Sequence, residues 1–183
     1  MIDDTEKHHR KSIRLKYYNY LETGGYFVTI CALNRKSIFG DIKKDQMVLT
    51  LRGRIATDCW EEIPKHFCNV SLDEFVIMPN HLHGIIMINE NGRGKACLAP
   101  TNRQFGRPIG NSLFSIIGSF KSAVTKRINK TFHTLGISVW QRNYYEHIVR
   151  NEKELNKIRE YIINNSLKWN EDEENPENIK QRK

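Results

Sequence analysis

Two histidines separated by one residue, His81-Leu82-His83, have a spacing that could do chemistry. Side chains along a strand alternate between faces, so His81 and His83 project together while Leu82 points the other way, into a core. Two imidazoles on one face can share a metal ion, and a pair of ligands leaves that ion open positions, as a catalytic site requires. The same pattern also fits two half-exposed strand histidines, so their partners have to decide. Pro79 and Asn80 define the entry to the strand, and Gly84 would let a backbone or a ligand approach closely. A third ligand must come from elsewhere. Tyr161 and Asn165 offer a hydroxyl and an amide four residues apart, on one face of a helix. Taken singly, Tyr161 reads as an edge-packed tyrosine and Asn165 as a residue at a helix end. Tyr144 and Tyr145 are rival hydroxyls. They precede Glu146 and His147, and Tyr145 and His147 would share a strand face.

The elements that must position these residues can be read from periodicity. Tyr26 to Leu33 is rich in β-branched and aromatic residues and predicts a first strand. Residues 34–48 form a connection with room for a small hairpin. Thr50 to His66 carries a helical stripe at Leu51, Ile55, Ala56, Trp60 and Ile63, with Pro64 near its end. Val70 to Met78 predicts a second strand, broken by Pro79-Asn80, and His81 to Asn89 its hairpin partner. Residues 90–110 hold Gly, Pro, Asn and basic side chains, the composition of a functional or disordered loop. Ser112 to Asn129 is an amphipathic helix with Leu113, Ile116, Ile117, Phe120 and Val124 on one side. A fourth strand lies within Val139 to Arg150. Asn151, with Glu154 three residues on, is a variant capping box opening a last helix whose buried stripe is Leu155, Ile158 and Ile162. The order β-α-β-β-α-β predicts an α+β, ferredoxin-like antiparallel sheet with helices on one face, plus an added C-terminal helix carrying the tyrosine. Such a fold hosts many functions, so the site must decide among them.

Met78-Pro-Asn-His-Leu-His-Gly84 and Glu160-Tyr-Ile-Ile-Asn-Asn165 resemble the histidine–hydrophobic–histidine (HUH) motif and the tyrosine helix of the single-tyrosine HUH transposases, and within them the REP-associated tyrosine transposases. The resemblance extends through Ser12-Ile-Arg-Leu-Lys16, Tyr26-Phe-Val-Thr-Ile-Cys31, Ile116-Ile-Gly-Ser-Phe-Lys-Ser-Ala-Val124 and Val139-Trp-Gln-Arg-Asn-Tyr-Tyr-Glu-His147. It implies that His81, His83 and the Asn165 amide oxygen ligate Mg²⁺ or Mn²⁺. It implies that Tyr161 attacks a phosphate, leaving a 5′-phosphotyrosine and a free 3′-hydroxyl. The implied substrate is single-stranded DNA beside short imperfect hairpins, the repetitive palindromic elements. The implied enzyme is a transposase, a single-strand endonuclease and ligase, acting as a monomer or a homodimer. A DNA-binding regulator that keeps the fold without cutting is the alternative, and a metal hydrolase that activates water is another. The relatives usually have proline after the asparagine, where this chain has Ser166. Serine would let the helix run a turn further and alter the aim of Asn165.

Charge agrees with a polyanionic partner. The formal net charge is +8, and residues 171–183 hold five carboxylates against three basic side chains, which leaves +10 on the rest. Arg10, Lys11, Arg14 and Lys16, beside Tyr17, Tyr18 and Tyr20, have the mixture of cations and aromatics that grips single strands, and Lys121, Lys126 and Arg142 join them as candidate DNA contacts. These features divide the chain into a basic N-terminal arm (1–24), the transposase-like domain (25–170) and a charged, disordered tail (171–183). The four cysteines, Cys31, Cys59, Cys68 and Cys97, lack zinc-ribbon spacing and read as reduced thiols. The polar start and the absence of a long apolar run predict a cytoplasmic protein.

Overall fold

Alternation decides the first strand. In the computed structural model, which describes residues 23–89 and 112–181, β1 (Gly24–Cys31) turns Tyr26, Val28 and Ile30 to one side with no solvent exposure. Phe27, Thr29 and Cys31 face the other side. A two-stranded hairpin follows, β2 (Gly40–Lys43) and β3 (Gln46–Leu49), turning through Lys44 and Asp45, both at positive φ. That conformation suits the two-residue turns whose twist matches paired strands. Thr50 caps helix α1 (Leu51–Glu61), its hydroxyl accepting from the Gly53 amide at 3.2 Å. The predicted single helix to His66 is in fact two. It breaks at Glu62, and Pro64 enters the first turn of a short α2 (Ile63–His66), where a missing N–H costs nothing.

β4 (Val70–Ile77) and β5 (His81–Ile88) form the expected hairpin, joined at Pro79-Asn80. Helix α3 (Leu113–Thr131) starts at Ser112, which caps the Ser115 amide. Strand β6 (Tyr145–Val149) leads through the Asn151 cap into α4 (Glu152–Ile163). The capping box closes as predicted on one side, the Glu154 amide donating to Asn151 Oδ1 at 2.9 Å; on the other, the Glu154 carboxylate accepts from the Arg150 amide at 2.7 Å. The main sheet runs β4-β5-β1-β6, antiparallel throughout, and matches the predicted architecture.

The sheet separates two cores. Tyr26, Val28, Ile30, Leu82 and Ile86 meet α1 and α3 through Trp60, Phe120 and Trp140 on one face. On the other, Ile85 receives Leu155 and Ile162 of α4, with Phe27, Val76 and Ile158 around them. Gly84 faces the first of these cores. A Cβ there would overlap the Trp60 indole, so the close approach predicted at Gly84 belongs to a core tryptophan rather than to a ligand.

Past α4 the structure departs from the sequence reading. The charged stretch expected to be a disordered tail makes a 3-10 turn at Trp169–Glu171 and a short helix α5 (Pro176–Gln181). Polar side chains outside the hydrophobic pattern hold it, which is why periodicity missed it. Asn80 Nδ2 donates to the Glu174 carbonyl at 2.7 Å, Arg35 pairs with the Glu174 carboxylate at 2.8 Å, and Asn178 Nδ2 donates to the carbonyls of Asn170 and Asp172. Cys31 and Cys59 are free and buried, but Cys68 is disulfide-bonded, a correction to the reduced-thiol reading. Arg10, Lys11, Arg14, Lys16 and residues 90–110 lie outside the described residues. Among the described residues no helix is long and apolar enough to cross a membrane.

Candidate active site

The register of β5 brings His81 and His83 to the α4 side of the sheet, and both are buried. Each imidazole is oriented through its inner nitrogen. His81 Nδ1 lies 2.8 Å from Asn80 Oδ1, and His83 Nδ1 lies 2.8 Å from Thr29 Oγ1. Thr29 can do this because the β1–β5 register sets it opposite His83. With Nδ1 engaged, the two Nε2 atoms converge to 2.9 Å. Burial, then the neighbouring His83, pushes the His81 pKa well below its ordinary value, so this imidazole is neutral and keeps a lone pair at neutral pH.

Helix α4 delivers Tyr161. Its hydroxyl is 3.2 Å from His83 Nε2, and its ring meets that of His83 edge-on at 5.2 Å. Tyr161 is 45% exposed, so it borders the buried pair and solvent together. Burial, then the charge of Asp172, raises its pKa to about 12. Tyr145 lies on the same sheet face against Phe27, at 6.4 Å between rings, and Tyr144 packs on the main core. His147 is drawn to Glu154 at 2.8 Å. The predicted pair Tyr161 and Asn165 thus lies at the histidines, and the rival tyrosines lie apart from them.

Asn165 is 2% exposed and follows α4, which ends at Ile163 with Asn164 as its cap, so Ser166 does not prolong the helix. Its Nδ2 donates to Asp172 Oδ2 at 3.2 Å, while its buried Oδ1 has no hydrogen-bond partner among the described residues. Asp172 was missed in the sequence. Its Oδ2 sits 3.9 Å from His81 Nε2 and 4.0 Å from His83 Nε2. Burial opposes its charge, but interactions with His83 and His81 and the Glu174 amide, which donates to Oδ1 at 2.6 Å, hold it ionised. The one signal available was a carboxylate seven residues beyond Asn165, inside a run of acidic residues with no pattern to single it out.

His81, His83 and Asp172 offer one donor each within 4.8 Å of one another. Two imidazole nitrogens, an ionised carboxylate and an orphaned amide oxygen nearby form a mixed nitrogen and oxygen set that fits a divalent cation. The inner-nitrogen bonds to Asn80 and Thr29 are the supports that orient such ligands.

The three cationic residues predicted in the second half of the chain come together. Lys121, Lys126 and Arg142 line a groove of about 430 Å³ with Ser122, Thr125, Ser138, Trp140 and Gln141. Lys121 is committed inward, its ammonium donating to the carbonyls of Gln141 at 2.5 Å and Arg142 at 3.0 Å. It braces the groove wall, and burial lowers its pKa.

An antiparallel sheet thus presents an HxH pair to a tyrosine borne on a helix, as the sequence resemblance implied. The fold is that of a REP-associated tyrosine transposase: the structure of that enzyme bound to a REP hairpin superposes with a TM-score of 0.55 at 21% identity, over 85% of this chain and 74% of the other. The chain is also 48% identical over 169 residues to an uncharacterized protein of Haemophilus influenzae, spanning 91% of this chain and 93% of that protein, and belongs to one family with that protein. No protein-family model matches it.

Proposed function

We propose that this protein is a DNA strand transferase of transposase type, cutting single-stranded DNA beside hairpins and rejoining it through a 5′-phosphotyrosine. The observation that carries this reading is the Tyr161 hydroxyl standing 3.2 Å from His83 Nε2, beside two converging imidazoles. A nuclease that activates water needs the histidines but has no use for a tyrosine in that place.

His81, His83, Asp172 and the Asn165 amide oxygen would hold Mg²⁺ or Mn²⁺. Such a cation supplies positive charge against the charge that develops on the pentacovalent phosphate. The protein's own groups supply the rest. Asn80 and Thr29 fix the imidazoles, and Asp172 lends negative charge where a cation is to be held. With its pKa near 12, Tyr161 rests as a neutral phenol at neutral pH. Its proton leaves as its oxygen bonds to phosphorus, and the departing 3′ oxygen takes up a proton as the P–O3′ bond breaks. The phosphodiester energy stays in the tyrosyl ester, so attack by a 3′-hydroxyl can rejoin a strand without ATP. Lys126 and Arg142 are proposed to hold the phosphate backbone, together with Arg10, Lys11, Arg14 and Lys16. The Tyr161 hydroxyl standing beside the histidines of its own chain supports the reading of a monomer that can act alone, with a homodimer as the alternative.

The test is a labelled hairpin oligonucleotide with single-stranded flanks, incubated with Mn²⁺ or EDTA and run on a denaturing gel. Wild type is expected to form a covalent adduct with Mn²⁺ and none with EDTA. Tyr161→Phe is expected to lose the adduct while still binding the oligonucleotide. An adduct persisting in Tyr161→Phe would assign the nucleophile elsewhere. A free 5′-phosphate without adduct would mark a water-activating hydrolase, and EDTA-insensitive binding without cleavage would mark a regulator.

A further inference from the structure

The seat of α4 on the sheet is small. Among the described residues, the buried members of the apolar cluster that seats it are Ile85, Leu155 and Ile162. Apolar contact is non-directional, so a seam this narrow does not by itself define the rotation of the helix about its axis. That rotation decides where Tyr161 points.

A directional contact sits two residues before the tyrosine. Arg159 Nε donates to Asp73 Oδ1 at 2.9 Å and Nη2 to Asp73 Oδ2 at 2.6 Å, a two-pronged pair joining α4 to the outer strand β4. The carboxylate is itself oriented, since Asp73 Oδ1 also accepts from the Glu74 amide at 2.7 Å. Asp73 lies where the β4–β5 register slips, between Leu72 opposite Ile86 and Phe75 opposite Gly84. Such a bulge inserts an extra residue and re-aims a side chain. The guanidinium is braced in turn by Asn156 Oδ1 at 2.8 Å and Glu152 at 3.3 Å, both one or two turns back on α4. At the other edge of the sheet, Glu154 holds His147 of β6.

We infer that Asp73 and Arg159 are positioning residues that set the rotation of α4 and so aim Tyr161 at the histidine pair. The inference rests on Tyr161 being the nucleophile. A bidentate pair adds direction as well as energy, so its loss is expected to show in the rate of the chemical step and not in stability alone. One that aims a nucleophile needs the planar fork, which lysine cannot reproduce.

The experiment compares wild type with Arg159→Leu, Arg159→Lys and Asp73→Asn in single-turnover adduct formation at saturating hairpin oligonucleotide and Mn²⁺. Oligonucleotide affinity and thermal midpoints are measured on the same samples. Misplacement of a reacting group by about 1 Å costs up to about 100-fold, so Arg159→Leu is expected to slow adduct formation between about 10- and 100-fold. Asp73→Asn should slow it by a similar factor, and Arg159→Lys should fall between wild type and Arg159→Leu. Affinity for the oligonucleotide should stay within about two-fold. Folded Arg159→Leu with the wild-type rate would overturn the inference, as would Arg159→Lys and Arg159→Leu behaving alike. Absence of any adduct in wild type would instead strike down the assignment of Tyr161, a separate outcome visible in the same gel.

Discussion

At the level of residues, the site joins three kinds of donor that differ in how visible they were. His81 and His83 were legible because strand alternation gives H-x-H a single geometric meaning, and the structure places both on one face with their Nε2 atoms 2.9 Å apart. Tyr161 and Asn165 were read as a helical pair; α4 carries Tyr161 to the histidines, while Asn165 lies just past the helix cap and reaches the site through Asp172. Asp172 was not legible. It arrives through an irregular turn held by Asn80, Arg35 and Asn178, and polar contacts of that kind leave no periodic trace. Its role is open to direct measurement. If Asp172 contributes a ligand, Asp172→Asn removes a negative charge from the donor set, and Mn²⁺ affinity measured by calorimetry on the full chain should fall about ten-fold or more. Asn165→Ala should weaken binding as well, by removing the orphaned Oδ1. Wild-type affinity in Asp172→Asn, alongside lost binding in His81→Ala, would take Asp172 out of the metal set.

Among the elements, α4 has the most asymmetric support: a narrow apolar seam, a capped start and one bidentate ion pair near its functional end. Its existence and its cap were readable because Asn151 and Glu154 obey local rules. Its docking was not, since Asp73 owes its direction to a bulge, and a slip in strand register has no signature in a single sequence. The ion pair carries a pH signature. The Arg159 guanidinium, outweighing burial, holds the Asp73 carboxyl below its ordinary value of 3.8. The folded state therefore binds this proton less readily than the unfolded chain, and the stabilisation is complete above pH 3.8 and fades as pH falls through the lower folded-state pKa. Asp73→Asn cannot titrate there. Its stability deficit should be ~1 kcal/mol at neutral pH, the scale of a partly exposed pair, and should shrink as the pH is taken below 3.8. Urea midpoints for the two proteins between neutral pH and pH 3 measure this. A gap that stays constant or widens on acidification would mean that the pair does not stabilise the folded state.

Across the whole molecule, charge is sorted by task. Asp172, Glu173 and Glu174 gather beside the histidines, where they favour a cation, and the excess of lysine and arginine lies elsewhere on a chain of net +8. The groove of Lys126 and Arg142 is tied to this centre through backbone: the Gln141 amide donates to the Cys31 carbonyl at 3.0 Å, and Cys31 stands opposite His81 in the sheet. Sequence composition foresaw the cations but could not say which of them are committed, because Lys121 is spent on two carbonyls while Lys126 and Arg142, among the described residues, are not held in that way. That distinction has a thermodynamic consequence. Each phosphate neutralised on a single strand contributes about 0.7 to the slope of log affinity against log salt concentration, so replacing both Lys126 and Arg142 by alanine should flatten the slope by about 1.4. The loss should be similar for oligonucleotides of unrelated sequence, as expected for contacts to the backbone. Lys121→Met should behave differently, lowering the thermal midpoint by unbracing the groove wall while changing the slope far less than the double substitution. Fluorescence anisotropy with a labelled single strand, titrated from low to physiological salt, separates the two. An unchanged slope in the Lys126 and Arg142 double variant would move the strand off this groove and onto another face of the molecule.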